Sequence, residues 1–155
     1  MRAAAYTQTG PAKDVLSLID VPDPAPAPGE VRVRLAWSGV NPSDVKSRGG
    51  VRPIAFPRVV PHSDGAGTID DVGDGVPKSR IGERVWVWNG QWKRAFGTAA
   101  EFIALPAAQA VTLPDNVGFD AGACLGIPAM TAIHAVILAD ATKNMNLLVS
   151  GSVNV

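Results

Sequence analysis

The sequence predicts a mainly β fold, with a β domain over residues 1–124 followed by the start of an α/β domain over residues 125–155. Two observations support this prediction. Short apolar runs, punctuated by many of the 16 glycines and 13 prolines, fill the first two thirds of the chain, which is typical of barrels and sandwiches. Near Leu125 the pattern changes to a helix and then an apolar strand. Since 46% of the 155 residues are hydrophobic, the chain can bury a real core.

The predicted strands begin at the N-terminus, and the clearest of them covers residues 30–36. There Val31 and Val33 alternate with Arg32 and Arg34, which places an apolar face towards a core and a charged face towards water. The proline-rich segment before it lacks the N–H groups that a central strand needs, so we expect an extended surface connection. Similar patterns predict strands at residues 2–6, 15–20, 68–72, 84–88 and 99–105.

Two helices are predicted between and after these strands. The first is short: Asn41 is a good N-cap, Pro42 suits the first helical position, Asp44 favours the positive helix end and Gly49 can end it. The second covers about residues 128–139, where apolar side chains approximate helical spacing.

The last predicted element is the apolar run Leu147, Leu148 and Val149, followed by Ser150 and Gly151. Such a run is typical of the first strand of a dinucleotide-binding fold, which continues into a glycine-rich loop and a helix. The sequence here continues as SVNV instead.

Composition excludes several classes of protein. Fourteen basic and fourteen acidic residues cancel, so nucleic acid is not an expected partner. Cys124 is the single cysteine, which rules out an internal disulfide and suits a reducing compartment such as the cytoplasm. No apolar stretch of about 18 residues is present to span a membrane.

Short motifs give weak signals for chemistry. The two glycine pairs, at residues 65–67 and 73–75, do not complete a phosphate-binding loop, so we interpret them as structural. The run at residues 62–64 holds the three residue types of a hydrolytic triad, but neighbours in an extended segment point to opposite faces. The single cysteine and the two histidines have no zinc-ligand spacing, so no metal site is predicted. Trp86, Trp88 and Trp92 lie around an Asn-Gly pair, and either a hairpin at Asn-Gly or an aromatic pocket wall explains them. Trp86 and Trp88 share a strand face, so either of them can line such a pocket.

Five motifs occur along the chain: SGVNPSD from Ser38, PHSDGAG from Pro61, GERVW from Gly82, GTAAEF from Gly97 and LGIPAMTA from Leu125. In this order they resemble the N-terminal half of a zinc-independent quinone oxidoreductase, in the zeta-crystallin-like branch of the medium-chain dehydrogenase/reductase superfamily. The resemblance implies a GroES-like β-barrel catalytic domain followed by the first helix and strand of a Rossmann domain. It also implies NADPH-dependent reduction of a quinone or an activated carbonyl or alkene, by a protein that is a homodimer when intact.

The same resemblance bears on metal and on site residues. Zinc-dependent relatives carry a cysteine at the Asn41 position, a histidine at the Ser63 position and a cysteine near Ile127; all are absent here, so we expect no zinc. Asn41 and Thr131 match positions near the nicotinamide, and Gly151 matches the start of the phosphate-binding turn. The resemblance also places two residues in the pocket: Lys46, which stands where some relatives carry a tyrosine, and Asp64, which alternatively makes a structural hydrogen bond. Trp88 is a third pocket candidate, from the strand pattern of the tryptophans.

Relatives continue for about 170 residues beyond this point, so the resemblance leads us to expect that the chain is half of an oxidoreductase. The alternative is a non-catalytic GroES-like module for binding or assembly. A dehydrogenase would be expected to keep a polar cleft at Asn41, Lys46, Asp64 and Thr131; a scaffold need not.

Overall fold

The computed structural model describes residues 1–141, 145 and 146. The predicted strand at 147–149 and Gly151 lie outside the described residues. The strands are β1 (Arg2–Ala5), β2 (Ser17–Asp20), β3 (Glu30–Gly39), β4 (Asp64–Val72), β5 (Arg84–Val87), β6 (Phe102–Pro106) and β7 (Ala110–Thr112). The α-helices are α1 (Ala12–Val15), α2 (Pro42–Arg48), α3 (Phe119–Gly122) and α4 (Met130–Leu138). Short 3₁₀ turns cover Lys78–Arg80 and Ala107–Gln109, and one π-helical turn covers Leu125–Ala129.

Five strands form one antiparallel sheet in the order β6-β3-β4-β5-β7. The predicted alternation in β3 is confirmed, because Val31 and Val33 are fully buried while Arg34 is exposed. The remaining core side chains come from the neighbouring strands and are equally enclosed: Ile69, Val85, Val87, Ile103, Leu105 and Ala110. The expectation of a mainly β domain is confirmed.

The strands β1 and β2 form a separate two-stranded sheet. Isolated bridges connect its end to the rest of the molecule: Ala3 pairs with Ala100, and Tyr6 pairs with Val59. Ala3, Ala5 and Val60 make a second small core between these parts. The end of β1 is therefore held firmly beside the loop that precedes β4.

Several strand predictions were wrong in their bounds. β4 begins at Asp64 rather than at residue 68, so the Gly65–Gly67 pair lies inside the strand. There it serves close packing: a Cβ at Gly67 would lie 2.0 Å from the Arg34 carbonyl oxygen on β3. Residues 12–15 form a helical turn before β2, β6 begins at Phe102 rather than at residue 99, and β7 was not predicted.

Both predicted helices are present, as α2 and α4. The π-helical turn before α4 was not predicted; its backbone kinks at Gly126, where φ is −66° and ψ is −110°. This turn folds back onto the start of β4, which brings Ile127 to the site described below. None of the helices in residues 1–141 is long and apolar enough to cross a membrane. The boundary proposed at Leu125 stays a prediction.

Candidate active-site cleft

A cleft of about 440 Å³ lies where the end of β1, the first turns of α2 and two loops meet. Its volume is in the range of small-molecule sites, and its lining is mixed rather than purely apolar. Besides the apolar residues Pro53, Ile54, Ala55, Val59 and Ile127, the lining contains three groups of side chains. Polar side chains come from Ser43, Asp44, Ser47, Ser63, Asn89 and Gln91; aromatic ones from Tyr6, Phe56 and Trp92; and cationic ones from Arg52 and Lys93.

The start of α2 forms the floor of the cleft. Pro42 at the first helical position fixes the backbone for a helix, and Asn41 precedes it in an extended conformation. The Asn41 backbone N–H donates to Asp44 Oδ2 at 2.7 Å, which gives this orphan donor of the helix end a partner. Burial raises the pKa of the Asp44 carboxyl, and the bonds from Asn41 oppose that rise.

Asp64, the first residue of β4, connects three elements below this floor. Its Oδ2 accepts a hydrogen bond from the Asn41 side-chain amide and another from the Ile127 backbone N–H, both at 2.8 Å. Its Oδ1 is fully buried and has no hydrogen-bond partner among the described residues. Burial raises the pKa of Asp64, although the two donors lower it in part. This carboxyl therefore fixes α2 and the π-helical turn against β4.

The glycine in the π-helical turn is required by this arrangement. A Cβ on Gly126 would lie 2.1 Å from Asp64 Oδ1, which no side chain can tolerate without displacing the carboxyl or the turn. The LGIPA turn can therefore pack against the Asp64 carboxyl only because Gly126 carries a hydrogen atom in place of a side chain. Ile127, the next residue, then lines the cleft.

A second polar network lies behind the cleft. Ser38 Oγ is 2.9 Å from both His62 Nδ1 and Thr98 Oγ1, and Thr98 Oγ1 donates to the Asp64 backbone carbonyl. His62 has a φ of 76°, so residues 62–64 are not fully extended, contrary to the prediction. Burial lowers the pKa of His62. The network gives the residues around β4 a rigid support, and no hydrolytic triad forms.

The predicted site residues occupy different places. Asp64 lies beneath the cleft and makes the structural hydrogen bonds that were its alternative role. Asn41 is 3% exposed with its amide turned to Asp64, which makes it a supporting residue in this structure. Lys46 and Trp88 do not belong to the cleft lining: Lys46 is exposed on α2, and Trp88 Nε1 reaches the Ala108 carbonyl at 3.4 Å. Thr131 is exposed on α4, and its role stays a prediction.

Sequence reasoning did not single out Tyr6, Arg52, Phe56 or Lys93, which line the cleft, whereas Trp92 belonged to the predicted aromatic wall. Each is remote in sequence from α2, or lies in a loop whose path no periodicity encodes. The expected hairpin at Asn89 does not form, because the next strand, β6, pairs with β3 instead of β5. The Asn-Gly turn instead carries Trp92 to the rim of the cleft, where the side chain is 60% exposed.

The side chains that line the cleft have the chemistry that a nicotinamide ring and a flat acceptor require. Hydroxyl and amide groups, such as those of Ser43 and Gln91, suit a carboxamide, and the planar side chains of Phe56 and Trp92 suit an aromatic ring. The lining therefore fits a nicotinamide and a flat acceptor. Within the described part of the chain, His, Cys, Asp and Glu side chains do not gather in groups of three or more that would hold a metal ion.

Comparisons with known proteins point to one group of proteins. Residues 27–115 match the model of the alcohol dehydrogenase GroES-like domain. The chain is 36% identical over 156 residues to the quinone oxidoreductase of Rattus norvegicus, covering 98% of this chain and 46% of that protein. It thus spans about half the length of such relatives.

Two solved structures have a similar fold. A mycobacterial protein whose structure was determined with NADPH is 30% identical, with a TM-score of 0.80, over 92% of this chain and 43% of that one. The quinone oxidoreductase of Pseudomonas syringae is 29% identical, with a TM-score of 0.81, over 92% of this chain and 42% of that one.

Proposed function

The chain belongs to the family of alcohol dehydrogenase GroES-like domains, in the medium-chain dehydrogenase/reductase superfamily, and from this premise we propose that it is the catalytic part of a zinc-independent, NADPH-dependent oxidoreductase. The proposed substrate is a quinone or an activated carbonyl or alkene. The full-length rat relative is a quinone oxidoreductase, and a mycobacterial structural neighbour was solved with NADPH.

The environment of Asn41 carries the zinc-independent part of the proposal. The resemblance places a zinc-binding cysteine at this position in metal-dependent relatives. Here a carboxamide stands there, and its N–H donates to Asp64 Oδ2 at 2.8 Å. An amide that donates to a carboxylate is not a zinc ligand, because zinc prefers thiolate, imidazole and carboxylate. Ser63, at the position of the histidine ligand, is equally unsuited.

The cleft residues would bind and orient the acceptor. NADPH, when bound, supplies the hydride. Trp92 and Phe56 provide planar apolar surface for a ring, while Ser43 and Ser47 provide hydroxyls for its oxygens. Holding the ring against the nicotinamide in one orientation lowers the barrier, since a misplaced ring loses much of the benefit of proximity.

Contacts to the cofactor itself remain proposals for three residues. Thr131 would approach the nicotinamide from α4, Asn41 would shape the floor beneath it, and Gly151 would belong to the phosphate-binding turn. A cytoplasmic location and a homodimeric assembly of the intact protein belong to the same proposal.

Two tryptophan substitutions, one inside the cleft and one outside it, test whether the cleft is the substrate site. NADPH oxidation is followed with a quinone series, using the complete product of the gene that encodes this chain. We expect Trp92→Leu to raise the KM for quinone about tenfold, because it removes an aromatic wall. Trp37→Leu is the matched control, since Trp37 is also exposed but does not line the cleft. Absence of quinone-dependent NADPH oxidation would favour a non-catalytic module, and equal effects of the two substitutions would misplace the site.

A further inference from the structure

Tyr6 is a cleft residue to which the proposed function has given no role. It is the single tyrosine of the chain, and it lies directly after β1. Two backbone hydrogen bonds hold it against Val59: Tyr6 N–H to the Val59 carbonyl and Val59 N–H to the Tyr6 carbonyl, both 2.9 Å. Its phenol ring therefore enters the cleft from a fixed point of the backbone.

The Tyr6 hydroxyl is open to the cleft although the residue is buried. The residue as a whole is only 6% exposed, and it lines the cavity. No hydrogen bond links its hydroxyl to another of the described residues. Among those residues, Asp64 Oδ1 is a fully buried side-chain atom without a hydrogen-bond partner, and the Tyr6 phenol oxygen is not. Since the phenol oxygen also has no partner there, it must keep some exposed surface. Because the residue lines the cleft, we infer that a molecule bound there can reach the hydroxyl.

The surroundings keep this phenol protonated. Burial is the main cause that raises the pKa of Tyr6, and the negative charge of Asp44 raises it further, against a smaller opposing effect of Arg48. An ordinary tyrosine already titrates near pH 10. A buried phenol with no acceptor among the described residues thus presents an O–H donor to the cleft throughout the neutral range.

We propose that Tyr6 is a catalytic residue whose hydroxyl hydrogen-bonds a carbonyl oxygen of the acceptor and donates the proton that completes its reduction. This inference depends on the proposed function, because it needs a quinone or an activated carbonyl in the cleft. A planar acceptor against Trp92 and Phe56 would present its oxygen towards the interior of the cleft, where Tyr6 lies.

The proposed step balances. A hydride from a reduced nicotinamide dinucleotide carries two electrons and one proton to the quinone, which leaves a hydroquinone monoanion. The Tyr6 O–H bond breaks, and a new O–H bond forms on the negative oxygen of that monoanion. The resulting tyrosinate recovers its proton from water through the open cleft. The nicotinamide is oxidised, the quinone is reduced, and no other oxidant or reductant is consumed.

Tyr6→Phe tests the proposal, because it removes the hydroxyl and keeps the ring. In the complete gene product we expect kcat for quinone reduction to fall about a hundredfold, the lower range for a lost general acid, with a much smaller change in KM. We also expect wild-type kcat to decline at alkaline pH, as the Tyr6 phenol ionises, and we expect Tyr6→Phe to lack this decline. Thr7→Val is the matched control, since it deletes a neighbouring hydroxyl that is exposed and outside the cleft, and it should leave both unchanged.

A binding measurement without NADPH gives a second reading. Quenching of tryptophan fluorescence by a hydroquinone should show about tenfold weaker binding to Tyr6→Phe than to the wild type, the loss of one good hydrogen bond. Urea unfolding checks that Tyr6→Phe is folded. If this variant does not fold, the solvent deuterium isotope effect on wild-type kcat tests the proton transfer instead, and absence of that effect overturns the proposal.

The outcomes separate the two hypotheses. A wild-type protein that reduces quinones, with Tyr6→Phe equal to it in turnover and in hydroquinone binding, overturns the role of Tyr6 alone. A wild-type protein that neither oxidises NADPH with quinones nor binds hydroquinone overturns the proposed function, and the role of Tyr6 with it.

Discussion

Replacing Asp64 gives the most direct test of how the cleft floor is built. Asp64→Ala removes the acceptor of the buried Asn41 amide and of the partly buried Ile127 N–H. A buried donor without a partner costs about 1–3 kcal/mol, so the Asn41 amide alone predicts a loss of about that size in the free energy of unfolding, and the partly buried Ile127 N–H adds a smaller cost. Relief of the buried charge offsets part of this loss at neutral pH.

Asp64→Asn separates the hydrogen bonds from the charge. An asparagine can present its carbonyl oxygen to the same two donors, so this variant should be clearly more stable than Asp64→Ala. Burial raises the pKa of the Asp64 carboxyl above its unfolded value. The stability that the protonated form contributes is therefore present below the ordinary carboxyl pKa and is lost as pH rises through the folded pKa.

The assay is urea unfolding of the chain and both variants, followed by tryptophan fluorescence across a pH series. Between the unfolded and folded pKa values, the wild type should lose about 1.4 kcal/mol per pH unit relative to Asp64→Asn. Asp44 and His62 are present in both proteins, so the difference reports the ionisation of Asp64 together with the repulsion between its charge and that of Asp44. Parallel pH profiles would refute the penalty on the buried charge, and a loss under about 1 kcal/mol for Asp64→Ala would refute the role of the two bonds.

Three further predictions concern the same site. Elemental analysis of the purified chain should find less than roughly a tenth of an equivalent of zinc, because the ligand set is missing; a stoichiometric content would contradict this. Asn41→Ala and Thr131→Ala in the complete gene product should each lower kcat/KM about tenfold, or about 1.4 kcal/mol, through poorer placement of the nicotinamide; unchanged kinetics in folded variants would remove these residues from the site. Gly126→Ala should destabilise the chain by about 1–3 kcal/mol in urea unfolding, since its Cβ would meet Asp64 Oδ1 at 2.1 Å. Gly82→Ala, where a Cβ has open space but φ is +90°, is the comparison for backbone strain alone; a smaller loss at Gly126 than at Gly82 would contradict the steric argument.

The parts of the fold that the sequence predicted are those with a local physical signal. Alternation in β3 follows from side chains pointing to opposite faces, and α2 is predicted because Asn41, Pro42 and Asp44 each suit a helix start. The start of β4 was missed because glycines at 65 and 67 are unusual in a strand interior. They are there because β3 approaches closely, and this is visible only in three dimensions.

The candidate site was predicted less completely for a related reason. Asp64 and Asn41 were found through motifs, but their mutual hydrogen bond joins residues 23 positions apart. Tyr6 and Trp92 are far apart in the sequence. They line one cleft because the β-bridge to Val59 positions Tyr6 and the turn after Asn89 positions Trp92. Lys46 was expected in that cleft, yet on the short helix α2 it is Ser43, Asp44 and Ser47 that line it.

The proposed activity of the complete protein is hydride transfer from NADPH to a quinone without a metal ion. The measurement that tests it most directly is the turnover of the complete gene product with NADPH and a quinone, before and after exhaustive chelation, with metal content determined on the same samples. We expect equal turnover in both samples and no correlation with residual zinc. Turnover that disappears with chelation and returns with stoichiometric zinc would contradict the claim.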